Sequence, residues 1–264
     1  MSLQVSGLGW GHSQPGGGWR QLFSNFELNC PSGQFLVVIG SNGSGKSTLL
    51  NLVAGTLRAQ QGRIELEGRA LEQQPDHRRA RWIGRVMQNP LDGTAPGLTI
   101  AENLRLAERR RRSPFGWCGL LGLHPSAADR RRYRALLENL GLPLADRIDT
   151  PVGQLSGGQR QTISLVMATL GAPQLLLLDE HTAALDPKAE ATVMALTDRL
   201  VRELGSTALM VTHNLDQALG HGDRLVMLQD GQLVRDWAGP QRQGLTADYL
   251  RSLYGSAKVP PSQS

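Results

Sequence analysis

An α/β fold with a core of buried parallel strands is predicted by three features of this 264-residue chain. Continuous apolar runs, Phe35–Ile39, Leu175–Leu178 and Ala208–Thr212, read as strands covered on both faces. The glycine-rich stretch Gly40-Ser41-Asn42-Gly43-Ser44-Gly45-Lys46-Ser47-Thr48 follows the first run and leads into the helix-like Thr48–Ala54. The second run ends in two acids, Asp179-Glu180, and the third delivers His213. Ligand-contacting residues of open α/β sheets lie just beyond strand ends, where these groups stand.

The remaining elements follow in chain order. Residues 2–8 and 22–30 read as strands, the latter because Phe26, Leu28 and Cys30 alternate with polar residues. Residues 11–18 form a loop by composition, flanked by Trp10 and Trp19, either of which is placed to stack on a base. Arg63–Glu67 adds a short strand turning at Gly68, so a small antiparallel sheet is expected beside the glycine-rich loop. Ile83–Gln88 reads as a core strand broken at Pro90.

From Leu91 to Gly171 the pattern turns helical. Thr99 and Glu102 form a capping box for a helix toward Arg112, and Ser126 caps another running to Gly141. Between them, residues 113–123 are apolar but glycine-rich, a poor helix and too short to span a bilayer. Ser156 caps a third helix, with Gly157 and Gly158 leaving its start open to an anion. Asp186 caps a fourth, with Pro187 in its first turn, ending near Gly205. Asp230-Gly231 signals a hairpin between Leu225–Leu228 and Leu233–Arg235. The tail from Val259 is expected to fray.

Composition narrows the classes. Hydrophobic content is 40%, charged content 19% and formal net charge +5, values of a globular protein. No apolar run approaches the ~20 residues of a membrane span, and the first residues lack the basic and apolar regions of a secretory signal. A cytoplasmic location is therefore expected. Cys30 and Cys118 lie far apart and read as packing residues. Arginines cluster at 78, 79 and 81, at 109–112 and at 130–132. These read as solvated faces, with proximity to acidic headgroups as the alternative. No aromatic residues interleave with them for base stacking, so nucleic acid is not an expected partner.

The chemistry needs these residue types in this order. The glycines let backbone N–H groups converge on phosphate oxygens. Lys46 can reach the β- and γ-phosphates of a nucleotide, and the Ser47 hydroxyl can ligate Mg2+. Asp179 can hold the same ion, and Glu180 can polarise an attacking water. His213 is placed for the γ-phosphate, with His181 its rival beside Glu180.

The ordered set Gly40–Ser47, Gln88, Leu155-Ser156-Gly157-Gly158-Gln159, Leu175–Glu180, Asp186 and His213 resembles the ATP-binding cassette of ABC transporters over residues 2–237. The resemblance implies a P-loop NTPase (RecA-like) core, a small antiparallel β subdomain, and a helical subdomain at about 91–171 inserted in the core. Residues 238–264 would add a C-terminal helix and a flexible tail. It implies ATP and Mg2+, and two cassettes paired head to tail. Each ATP would lie between one copy's phosphate loop and the other's Ser156-Gly157-Gly158. Trp10 looks like the adenine-stacking aromatic, where the family more often has Tyr. Gln88 looks like a switch glutamine sensing Mg2+ and water, and Asp186 like the residue coupling the paired sites.

Residues Gly93-Thr94-Ala95, Met167-Ala168-Thr169-Leu170 and Asp179–Pro187 resemble ATP subunits of bacterial amino-acid importers, of tryptophan/tyrosine type. Most ABC cassettes have Pro where this chain has His181. The implied partners are integral-membrane permeases and, indirectly, a solute-binding protein, at the cytoplasmic face of the plasma membrane. The alternative is an export or lipid-handling system. Soluble ABC proteins of DNA repair or translation carry long coiled-coil insertions or two cassettes, absent here. The 113–123 insert is expected either on the helical lobe's surface against membrane or permease or folded back onto its own lobe, and a permease helix is expected near Gln88–Leu98.

Overall fold

The computed structural model describes residues 3–14, 16–112 and 124–256, so the expectations for 113–123, for Cys118 and for the tail from Val259 lie outside the described residues. The chain divides into two compact units, one of Met1–Gln73 with Thr207–Ser264 and one of Gln74–Ser206.

The first unit begins with β1 (Leu3–Ser13) and β2 (Trp19–Cys30), which pair antiparallel. Both are longer than 2–8 and 22–30. The cross-strand pairs Gly11↔Gln21 and His12↔Arg20 continue the ladder into residues whose composition reads as loop. The alternation at 25–30 is real: Phe26, Leu28 and Cys30 are buried while Asn25, Glu27 and Asn29 face out. Burial pushes the Cys30 thiol up to about 12, which marks it as an inert packing group. After the wholly buried β3 (Phe35–Ile39) comes α1 (Lys46–Ala54), closed by Gly55 in the left-handed region. β4 (Gln61–Leu66) and the two-residue β5 (Arg69–Ala70) complete a sheet ordered β2-β1-β4-β5.

The second unit opens with the short α2 (Asp76–Arg79) and β6 (Ile83–Val86). β6 stops two residues before Gln88, because the Gln161 side chain donates to the Met87 carbonyl at 3.1 Å. Helices α3 (Ile100–Arg112), α4 (Ala127–Asn139) and α5 (Gly157–Thr169) follow. Their starts are chemically explicit. Glu102 accepts from the Thr99 N–H at 2.8 Å while its own N–H donates to the Thr99 hydroxyl at 3.2 Å. Ser126 with Asp129, and Ser156 with Gln159, make the same reciprocal pair. β7 (Leu175–Asp179) runs parallel to β6, and α6 (Pro187–Leu204) starts at the Asp186 cap and ends at Gly205.

The arginine runs of this unit are not simply solvated. Arg79 is 1% exposed and its Nε donates to the Gln74 carbonyl at 2.8 Å. Arg132 clasps both oxygens of Glu108 at 2.6 and 2.7 Å, and Arg130 pairs with Asp149 at 2.8 Å. Two of the clustered arginines, Arg130 and Arg132, are thus matched by carboxylates of their own unit, while Arg79 is held by a backbone carbonyl.

The chain then returns to the first unit. β8 (Thr207–Val211) and β9 (Arg224–Gln229) run parallel to β3 on its two sides, and β10 (Gln232–Ala238) forms the expected hairpin with β9. Asp230 and Gly231 both take positive φ, 44° and 73°, as a two-residue hairpin turn requires. α7 (Leu215–Gly220), α8 (Pro240–Gln243) and α9 (Ala247–Ser256) close the unit. Among the described residues no helix is long and apolar enough to cross a membrane.

The cap of α3 predicts an acid limb. The backbone N–H of Thr99 is the largest influence holding the Glu102 carboxyl below its ordinary 4.5, followed by other hydrogen bonds and His124. A lowered folded-state pKa contributes stability above the unfolded value and loses it as pH falls through the folded one. The urea midpoint should therefore drop as pH falls below about 4.5, and less steeply in Glu102→Gln. At neutral pH Thr99→Ala should cost about 1 kcal/mol.

Candidate functional site

Residues 40–45 of the glycine-rich stretch lie between β3 and α1, and Lys46, Ser47 and Thr48 form the first turn of α1. Gly43 and Gly45 have φ of 80° and 108°, and the N–H of Ser44 bonds the Ser41 carbonyl at 3.2 Å. A Cβ on Gly45 would stand 2.8 Å from the buried Phe23 ring of β2, so that position has no room for a side chain. The N–H of Gly231, in the β9–β10 turn, donates to the Ser44 carbonyl at 3.0 Å. Lys46 is 6% exposed and turns back into the loop, its Nζ donating to the carbonyls of Gly40 at 2.7 Å and Ser41 at 3.0 Å. Ser41, Asn42, Gly43 and Ser47 are exposed, and Thr48 is half-buried. This is a glycine-bearing turn at a helix start with one ammonium group folded back onto it, an arrangement suited to phosphate oxygens.

Three further residues of the first unit bear on this loop or on the reading of it. Trp10 is half-buried on β1, within the strand rather than at its end, and its ring centroid lies 5.4 Å from that of His12 on the same strand face. Trp19 is 58% exposed and hydrogen-bonds Gln21. His213 is exposed just past β8. The switch from strand to α7 around it is fixed by Thr212, whose hydroxyl bonds Gln217 at 3.0 Å, and by Asn214, which caps α7.

In the second unit, Asp179 ends β7 and Glu180 follows with a positive φ of 43°. Asp179 accepts from Arg85 of β6 at 3.1 Å, both side chains being 14% exposed. Glu180 accepts from the exposed Gln88 amide at 3.3 Å. Parallel pairing of β6 with β7 brings these groups together from positions far apart in sequence. His181 does not share their exposure. It is 2% exposed, and its Nε2 meets the Thr197 hydroxyl of α6 at 3.1 Å.

Ser156, Gly157 and Asp186 are exposed, with Gly158 and Gln159 half-buried. The Ser156 hydroxyl accepts from the Gln159 N–H at 3.3 Å, and Asp186 accepts from the N–H groups of Lys188 and Ala189 at 3.1 Å. A cavity of about 280 Å³ in the same unit is lined by Arg85, Gly93, Asn103, Leu106, Ser164 and Met167, among others.

Sequence reasoning missed three residues. Arg85 sits in an apolar strand with nothing nearby in sequence to announce its partner; only the β6–β7 register reveals it. Arg242 donates to the carbonyls of Ala218 at 2.8 Å, Leu219 at 3.3 Å, His221 and Gly222, closing the C-terminus of α7. Tyr254 of α9 receives the Gly40 N–H on its hydroxyl, while burial, the larger effect, raises its pKa. No local pattern marks either of these last two.

Arg85→Met should leave a mostly buried carboxylate without its cation. A loss of about 3 kcal/mol in unfolding free energy is expected at neutral pH, read from urea denaturation. Asp179→Asn in the same background should recover part of it.

Comparison with known proteins gives this geometry its setting. Residues 23–183 match the family described as ABC transporter. A tyrosine transport ATP-binding protein of Clostridioides difficile (strain R20291) is 41% identical over 249 residues, 94% of this chain and 96% of its own length. An aliphatic sulfonates import ATP-binding protein of Paraburkholderia xenovorans (strain LB400) is 35% identical over 242 residues, covering 90% of this chain; the chain spans 61% of that relative's length. Among solved structures, a dimeric ATP-binding cassette in a post-hydrolysis state, bound to ADP and Pi, has a TM-score of 0.73 at 28% identity, covering 89% of this chain and 98% of its own. With its phosphate loop, strand-end acids and P-loop NTPase fold, this chain belongs to the ABC transporter family, as one of its ATP-hydrolysing cassettes.

Proposed function

We propose that this chain drives solute uptake through an integral-membrane permease, with an amino acid as the solute class. The similarity to a tyrosine transport protein over nearly the whole of both chains supports that class. A head-to-tail pair of copies at the cytoplasmic face of the membrane, served by a solute-binding protein, completes the assembly in this reading. The cavity beside Gly93 and Met167 is a fitting seat for a permease segment.

The contact between the Gln88 amide and the Glu180 carboxylate carries the hydrolytic roles. Glu180 would take the proton of the attacking water, and Gln88 would orient that water and the carboxylate. Water oxygen bonds to the γ-phosphorus as the bond to the bridging oxygen breaks, leaving ADP and phosphate. Lys46, the glycine N–H groups and His213 would receive the charge on the γ-phosphate. Trp10 would stack on adenine. Ser156, Gly157, Gly158 and Gln159 of the opposite copy would close the site, with Asp186 linking the two.

Ser47 and Asp179 offer a hydroxyl and a carboxylate, the few hard oxygen ligands that Mg2+ takes when phosphate and water supply the rest. When bound, Mg2+ would neutralise charge on the phosphate oxygens. In this reading the Arg85 contact keeps Asp179 compensated while no metal is bound.

Glu180→Gln tests the reading. Gln keeps the shape but cannot accept the proton, so ATP should bind, turnover should fall by about 100-fold or more, and a dimer should accumulate at high ATP. Adding Ser156→Arg should keep the protein monomeric in size-exclusion chromatography with ATP. Normal hydrolysis by Glu180→Gln, or a dimer indifferent to ATP, would overturn the composite site. Lys46→Ala should lose hydrolysis and weaken nucleotide binding in a fluorescent-nucleotide titration.

A further inference from the structure

Glu180 occupies an unusual backbone position. Its φ of 43° lies in the left-handed region, which costs any residue with a Cβ and persists only where surrounding contacts hold it. The chain then reverses in two tight turns, closed by the N–H of Ala183 to the Glu180 carbonyl at 3.0 Å and the N–H of Leu185 to the Thr182 carbonyl at 3.1 Å. Backbone turns after a strand do not by themselves fix where the side chain of the first residue past it, here Glu180, points.

A side-chain anchor is present in the next residue. His181 is 2% exposed and Thr197, on the buried face of α6, is fully buried. The Thr197 hydroxyl lies 2.8 Å from the Val193 carbonyl, one turn back on α6, and its single proton is directed there. It therefore offers His181 a lone pair, which assigns the proton of that contact to His181 Nε2. The result is a directed chain, His181 Nε2–H to Thr197 Oγ1–H to Val193 O, that ties the turn after β7 to the middle of α6.

We propose that His181 is a positioning residue: its hydrogen bond to Thr197 holds the turn that keeps Glu180 in its left-handed conformation, and so aims the Glu180 carboxylate. His181 acts through Glu180 and touches no phosphate. The proposal rests on the catalytic reading of Glu180 given above.

The test uses the purified full-length chain and steady-state ATP hydrolysis. His181→Ala and Thr197→Val should each lower kcat by about 10- to 100-fold, the cost of a misplaced catalytic group, with the KM for ATP within about twofold of wild type. The double variant should be no slower than the slower single one, since both remove one bond. His181→Gln presents an amide N–H in a similar place and should restore kcat to within about threefold of wild type. A purely structural role would lower melting temperature without this split between kcat and KM.

Wild-type kcat in folded Thr197→Val overturns the proposal. So does a folded His181→Gln whose kcat lies about 10-fold or more below wild type, and these two variants decide the matter if His181→Ala fails to fold. Glu180→Gln, run alongside, separates the two ideas. If it retains wild-type turnover, the catalytic reading fails. If it is inactive while Thr197→Val is normal, only the role of His181 fails.

Discussion

The phosphate loop depends on space that only backbone can occupy. Gly45 abuts the Phe23 ring, and a Cβ on Gly231 would fall 1.5 Å from the Leu22 carbonyl. These two contacts press β2, the loop and the β9–β10 turn together, with the Gly231–Ser44 hydrogen bond across them. Lys46 then lies inside the loop against the carbonyls of Gly40 and Ser41. The same close packing that shapes the loop ties it to two other elements of its unit, and such contacts lower the ordering cost of binding.

The charged groups of the second unit follow a shared rule. A partly buried ion is tolerated when an opposite charge or an aligned donor faces it. Asp179 has Arg85, Glu180 has Gln88, and Glu108 holds both Arg132 and the Tyr133 hydroxyl. Burial and Glu108 together push that hydroxyl up to about 12. A run of arginines that looks like an advertisement for acidic surfaces is thus partly an internal ion-pair network around α3 and α4. The two acids at the end of β7 obey the rule at partial burial, Asp179 at 14% side-chain exposure and Glu180 half-buried.

Much of this was legible in the chain. Three helix starts, at Thr99, Ser126 and Ser156, and a fourth at Asp186 follow from local hydrogen-bonding chemistry that needs no tertiary context. The hairpin at Asp230-Gly231 follows from the positive φ its turn demands. The strand ends were less legible. β1 and β2 outran the composition of residues 11–13, because a partner strand can supply ladder bonds to residues of low strand propensity. β6 stopped early because one side chain, Gln161, took over the Met87 carbonyl.

The sequence alone determined the fold class, the phosphate loop and the order of the site motifs, because buried strands, glycine-bearing loops and capped helices are written in local patterns of polarity and backbone freedom. The tertiary structure decided which histidine stays exposed and which is buried. It decided that Asp179 faces an arginine, that Arg242 closes α7, and that Tyr254 reaches Gly40. Each of these is a contact between residues distant in the chain. Such contacts are set by strand register and helix packing, and no local pattern encodes them.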